Sequence, residues 1–285
     1  MMHAPESRRP VIALMGEFSA GKSTLANLLI GERVSPERVT ATQLPPIWYT
    51  KGEGAPVVVG LDGAEREIAR QEIPQVAAAE TVCIRVPLAA GALELMDIVD
   101  LPGISDPNMP TRAWMRLARA ADAVIWCSHA TQAWRQSEAA TWAEMPAALH
   151  ARSLLLLTRM DKLHREADRR RVLSRVRAET EGLFEAVLPI SLSQAAEAGS
   201  DVAAWEESGA DAFTERLLDL VTRLARDMAR PRPVSRDRAS VDAVPPGDPD
   251  RPDRVADRIR SRPPAETGAP ERTIVPRRVT PRASA

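Results

Sequence analysis

Lysine is nearly missing from this chain: of 38 basic residues only Lys22, Lys51 and Lys162 are lysines, and arginine carries positive charge everywhere else. Where a lysine persists in such a composition, a compact ammonium is the group the position requires. Cysteine is as sparse, with Cys83 inside "TVCIRV" and Cys127 closing "DAVIWC". These apolar, β-branched settings suit buried free thiols and argue against a disulfide framework or a cysteine metal site. No apolar window approaches the ~20 residues that a membrane span needs. The N-terminus carries no basic, apolar and small-residue leader pattern, so a cytoplasmic location is expected. Nor does charge of either sign dominate: the formal net charge is -1, which implies neither nucleic acid nor an anionic membrane as a partner.

What is present is enough apolar material for a substantial core, 44% of 285 residues. Apolar runs of strand length alternate with segments of helical period, which predicts an α/β protein with a mostly parallel central sheet and helices on both faces. Strands are expected at "PVIALM", "ETVCIRVPL", "ALELMDIVD", "DAVIWCSHA", "SLLLLT" and "EAVLPIS", with a hairpin in "APVVVGLDGAEREI" around Asp62-Gly63. Helices are expected at "KSTLANLLI", "TRAWMRLARAA", "RQSEAATWAEMPAAL" and "EADRRRVLSRVRAETEGL". A closing helix puts Phe213, Leu217, Leu220, Val221, Leu224 and Met228 on one face. The organisation expected is a flexible N-terminus at 1–9, one domain at 10–228 and a Pro/Arg-rich tail at 229–285. The tail has too few large apolar residues to offset ordering entropy and is expected to be disordered. Its arginine excess permits peripheral membrane contact, although no motif supports it.

One segment carries far more chemistry than the rest. "GEFSAGKST", comprising Gly16, Glu17, Phe18, Ser19, Ala20, Gly21, Lys22, Ser23 and Thr24, fits G-x-x-x-x-G-K-[ST] and lies between an expected strand and an expected helix. Glycines let the backbone curl so that N–H groups converge on phosphate oxygens, and the helix N-terminus adds its positive dipole end. In that arrangement Lys22 reaches β- and γ-phosphates and Ser23 ligates Mg²⁺.

Two downstream segments bear on which nucleotide is bound. "DLPG" ends an expected strand with Asp100 and Gly103, the D-x-x-G pattern in which the aspartate holds the Mg²⁺ shell through water and the glycine N–H senses the γ-phosphate. "TRMD", Thr158-Arg159-Met160-Asp161, follows a very apolar strand at the edge where open α/β sheets bind ligands. A carboxylate there accepts two hydrogen bonds from guanine N1–H and its exocyclic amine, a donor pair that adenine lacks. The alternative is that Asp161 merely opens the following helix.

The ordered set resembles the P-loop GTPases, and within them the dynamin superfamily, particularly bacterial dynamin-like GTPases. The serine of "GEFSAGKST", the proline of "DLPG", the T-x-x-P spacing of "TATQLPP" and the long interval from Lys22 to Asp100 carry that narrower likeness. The resemblance implies a three-layer P-loop GTPase fold, GTP and GDP as ligands, and Mg²⁺. It makes Thr24 an α-phosphate contact and Ser19 the candidate for orienting water or a monovalent cation. Thr42 becomes the first-switch threonine that meets Mg²⁺, with Thr40 as its rival. Arg159 stands where the family has a lysine packed on the base, and Ser191 in "PIS" is a further base-side candidate.

The sequence also departs from that family. Ile104 follows the D-x-x-G and Phe18 occupies the phosphate-loop position where eukaryotic dynamins have glutamine, so neither supplies a water-orienting side chain. Slow turnover resting on Ser19, Lys22 and Thr42 is expected, aided by a cation or by a homodimer across the nucleotide face. After Asp161 the sequence suggests two main helices, one strand and the tail, leaving any dynamin stalk to a partner protein. Two alternatives stay open: a nucleotide-dependent interaction module with negligible hydrolysis, and an ATP-using P-loop enzyme. The indoles Trp126, Trp134 and Trp142 are expected to pack against the sheet, and His129 and His164 lack metal-ligand company.

Overall fold

A computed structural model of the chain describes residues 8–32, 34, 44–105 and 111–230, with the side chains of 111–114 left out. Thr40, Thr42 and the expected tail from residue 231 onward therefore lie outside the described residues. In chain order the elements are β1 (Val11–Gly16), α1 (Lys22–Ile30), β2 (Ile47–Lys51), β3 (Val57–Gly60), β4 (Glu65–Glu67) and β5 (Thr81–Leu88). They continue with α2 (Gly91–Leu95), β6 (Asp97–Asp100), α3 (Thr111–Ala120), β7 (Ala123–His129), α4 (Gln136–Ala143), α5 (Ala147–His150) and β8 (Leu154–Thr158). The last are α6 (Glu166–Glu179), β9 (Ala186–Pro189), α7 (Leu192–Ala198), α8 (Val202–Glu207) and α9 (Ala210–Ala229).

Among the described residues nine strands form one sheet in the order β4-β3-β5-β2-β6-β1-β7-β8-β9. From β6 through β9 every neighbour is parallel, whereas β2 runs antiparallel to β6 and the β3–β4 hairpin extends the far edge. Burial on both faces explains the unbroken apolar character of the central strands. In β1, Ile12 and Leu14 enter one core while Val11, Ala13 and Met15 enter the other, and β8 divides likewise between Leu154/Leu156 and Leu155/Leu157. The first core is covered by α1, α7 and α9, the second by α3, α5 and α6. This is the expected three-layer α/β architecture, with Phe213, Leu217, Leu220, Val221 and Leu224 buried along α9 as its period predicts. Cys83 and Cys127 are free and buried, and burial raises their thiols to about 11 and about 12 respectively.

Several expected elements differ. "ALELMDIVD" is not one strand: Gly91–Leu95 coils into α2, seating Leu93 in the core, and β6 starts only at Asp97. The segment expected as one helix over "RQSEAATWAEMPAAL" breaks into α4 and α5 at Pro146, which has no N–H to continue the ladder. Strand β2 was hidden by the Pro45-Pro46 pair ahead of it, although its Ile47 and Tyr49 are buried in alternation. Among the described residues beyond Asp161 four helices form rather than the two main ones expected, because Ser191 caps α7 and Asp201 caps α8, each accepting a backbone N–H three residues on. Among the described residues no helix is long and apolar enough to cross a membrane.

Candidate nucleotide-binding site

The carboxyl ends of β6, β1, β7, β8 and β9 lie side by side, and those of β1, β6, β8 and β9 lead into the candidate residues. Strand β1 ends at Gly16, whose φ is 137° and where a Cβ would stand 2.0 Å from the Cys127 carbonyl oxygen. Only glycine lets the chain leave the sheet at that point. The loop turns through Ser19 at φ 58° and reaches Gly21 at φ 95°, a left-handed residue from which α1 springs. Lys22, first in α1, folds back over the loop: its Nζ donates to the carbonyl oxygens of Gly16 at 3.1 Å and Glu17 at 2.8 Å. Burial lowers the Lys22 pKa from its ordinary value, against the opposing pull of the Asp100 carboxylate. A phosphate oxygen offers this buried ammonium a charged acceptor in place of neutral carbonyls. Thr24 follows within the first turn of the same helix.

Asp100, at the end of β6, is buried and accepts a hydrogen bond from Ser23 Oγ at 2.9 Å. A hydroxyl and a carboxylate in contact form a hard oxygen pair, the donor type that Mg²⁺ takes when it keeps its remaining positions for water and phosphate. The chain then presses onto the phosphate loop: a Cβ on Gly103 would stand 2.8 Å from both the Cα and the N of Phe18. The Ile104 N–H donates to the Gly16 carbonyl at 3.2 Å, and the Phe18 N–H to Ser105 Oγ at 3.4 Å. The Phe18 ring itself is exposed.

Strand β8 supplies the other end. Thr158 is fully buried and its Oγ1 donates to the Ala20 carbonyl of the loop at 2.8 Å. Arg159 adopts a left-handed φ of 57° and lays its guanidinium on the Ser19 carbonyl at 2.8 Å. Asp161 sits in a short turn, Met160–Lys162, well before α6 begins at Glu166, so it does not cap that helix. Its carboxylate accepts from Ser191 Oγ at 2.8 Å and pairs with Lys162 at 3.3 Å. Burial works to raise the Asp161 pKa, yet the Ser191 and Lys162 contacts prevail and lower it, so the group is an anion. Ser191, from the weakest of the sequence motifs, is thus seated directly on Asp161.

The sequence reading missed what underlies these parts. Glu138 on α4 is buried, its Oε1 accepting from Trp126 Nε1 at 2.9 Å and its Oε2 from Ser128 Oγ at 3.0 Å and the Arg135 N–H at 2.9 Å. Burial raises its pKa, and the three donors oppose that rise. Its neighbour Ser137 donates to Glu17 Oε1 at 2.7 Å, turning the loop's own carboxylate aside. The only sequence sign of this arrangement was a glutamate in the first turn of a helix, which reads as an ordinary cap. Trp126, Trp134 and Trp142 are buried in the second core, as expected.

Residues 11–159 match the family model described as 50S ribosome-binding GTPase. Dynamin-like protein 2 of Campylobacter jejuni is 26% identical over 236 residues, a match covering 79% of this chain and 36% of that protein. Two chains from solved structures of an oligomerised bacterial dynamin pair, concerned with long-range sensing and tethering of membranes, share the fold. They superpose with TM-scores of 0.60 and 0.57 at 17% and 20% identity, each match covering 78% of this chain. The chain spans only 47% and 36% of their lengths.

Proposed function

Because the chain belongs to the 50S ribosome-binding GTPase family, we propose that it binds GTP with Mg²⁺ and hydrolyses it to GDP and phosphate, as a dynamin-like nucleotide switch. The observation that carries this reading is the joining of two half-sites at one sheet edge. Thr158 and Arg159 tie the segment bearing Asp161 to the loop bearing Lys22 through the Ala20 and Ser19 carbonyls, so that in this reading Lys22 would face phosphates and Asp161 a base. Asp161, held as an anion, supplies the acceptors that match guanine N1–H and its amine. Ser23 and Asp100 would hold the metal, which supplies neutralisation of the charge developing on the β- and γ-phosphates. Gly103, packed on the loop at Phe18, would present its N–H to the γ-phosphate in this reading, so that loss of that phosphate would free the segment after Asp100 to relax.

Turnover is slow in this reading, since Ile104 and Phe18 cannot orient water. Ser19 and Thr42, with a monovalent cation, take that role once a second copy closes the nucleotide face, and any stalk comes from a partner protein. The oligomerised pair among its structural relatives supports such an association. The test is phosphate release from GTP, with ATP as control and Lys22→Ala as blank. Release from GTP alone is expected. Equal release from ATP would favour an ATP-using enzyme, and tight GTP retention without release would favour a non-hydrolysing interaction module.

A further inference from the structure

Among the described residues, Glu138 is a buried carboxylate to which the site described above gives no part in the chemistry. Glu138 belongs to neither half-site, yet it presents a carboxylate to three donors, two of them on β7, the strand that lies between β1 and β8. Its hydrogen bond to Ser128 has a fixed direction. Ser128 Oγ already accepts the Trp134 N–H at 3.0 Å, so its single proton goes to Glu138. Trp134 holds a left-handed φ of 55°, an unusual backbone for a bulky residue, and in that conformation its N–H reaches Ser128. Ser128 is thereby clamped from two sides.

From Ser128 the contacts run straight to the phosphate loop. The single proton of Thr158 Oγ1 is shared between the Ser128 carbonyl at 3.3 Å and the Ala20 carbonyl of the loop at 2.8 Å, the shorter bond going to the loop. Ser128, Thr158 and Glu138 are all buried, so water does not compete for these groups. A second contact from the same helix turn, Ser137 to Glu17, fixes the opposite side of the loop. We propose that Glu138 is a positioning residue of the nucleotide site, holding Ser128, and through Ser128 and Thr158 the loop at Ala20, in the geometry that retains bound nucleotide. This rests on the nucleotide-binding reading of the loop.

An amide at this position cannot serve all three donors. In Glu138→Gln either the Trp126 N–H or the Ser128 and Arg135 pair faces an NH₂ group. The experiment is the rate at which labelled GDP leaves the full chain when chased with unlabelled GDP, well below the melting temperature. Glu138→Gln and Ser128→Ala are each expected to speed release by about tenfold. Because Glu138 acts through Ser128, the double variant should release no faster than the faster single variant. Phe213→Ala, on α9 and outside this chain of hydrogen bonds, serves as a stability control: it should lower the melting temperature and leave the release rate unchanged. Wild-type release rates in Glu138→Gln, or full multiplication in the double variant, would overturn the positioning role. If Glu138→Gln does not fold, Ser128→Ala alone decides, and a wild-type rate there overturns the proposal. Failure of the wild-type chain to bind labelled GDP would instead overturn the nucleotide reading beneath it.

Discussion

At the scale of single residues, burial opposes the charge on both Lys22 and Asp161 and neighbouring groups act against it, Asp100 on Lys22 and Ser191 with Lys162 on Asp161. Lys22 hydrogen-bonds only to backbone carbonyls in the contacts described, so its removal breaks no side-chain network there. Lys22→Ala should weaken GDP binding by roughly 100-fold or more with a small change in melting temperature, measured by fluorescent-GDP titration and thermal denaturation. Asp161 has a folded pKa below its ordinary 3.8. Its stabilising contribution is therefore present above that value and lost as pH falls through the lower folded value. Preference for GDP over ADP should accordingly stay flat between about pH 5 and 8. A titration of that preference within this window would assign base selection to another group. Lys22 and Asp161 were legible in the sequence because their chemistry is local to a short motif. Glu138 was not, because its partners Trp126 and Ser128 lie on a neighbouring strand and become partners only when α4 packs there.

At the scale of elements, legibility followed how many faces a segment buries. Strands β1, β7 and β8 are buried on both sides, so their apolar runs announced them. Strand β2, short and led by two prolines, and α7 and α8, whose apolar residues are mostly alanine, carried weaker signals. Packing and the caps at Ser191 and Asp201 decide those segments, and neither shows as periodicity. The junction of β1 with the loop gives an element-scale prediction. Gly16→Ala would drive a Cβ into the backbone carbonyl of Cys127, which cannot move without displacing β7. The expected cost is roughly 3 kcal/mol of folding stability, read by denaturant melts, with nucleotide binding impaired as well. In the first core Phe213 is buried on α9, and Phe213→Ala should cost about 3–5 kcal/mol without changing GDP affinity at low temperature.

At the scale of the molecule, the described residues make one sheet with its candidate chemistry at a single edge, and Phe18 stands exposed there beside Gly103. With no water-orienting side chain at Phe18 or Ile104, association across this edge is the expected route to faster hydrolysis. Turnover per molecule should rise with protein concentration, more so in potassium than in sodium. A rate independent of concentration would place the missing group within the single chain or on another protein.

The central claim is that one face seats a guanine nucleotide, with Asp161 reading the base. The most direct measurement is displacement of labelled GDP by GTP, xanthosine triphosphate and ATP from the wild-type chain and from Asp161→Asn. An asparagine amide offers one acceptor and one donor, which matches the N1–H and C2 carbonyl of xanthine rather than the two donors of guanine. The account predicts that wild type prefers GTP and that Asp161→Asn shifts preference to xanthosine triphosphate. Displacement by ATP as readily as by GTP in wild type, or an unchanged order in the variant, would contradict it.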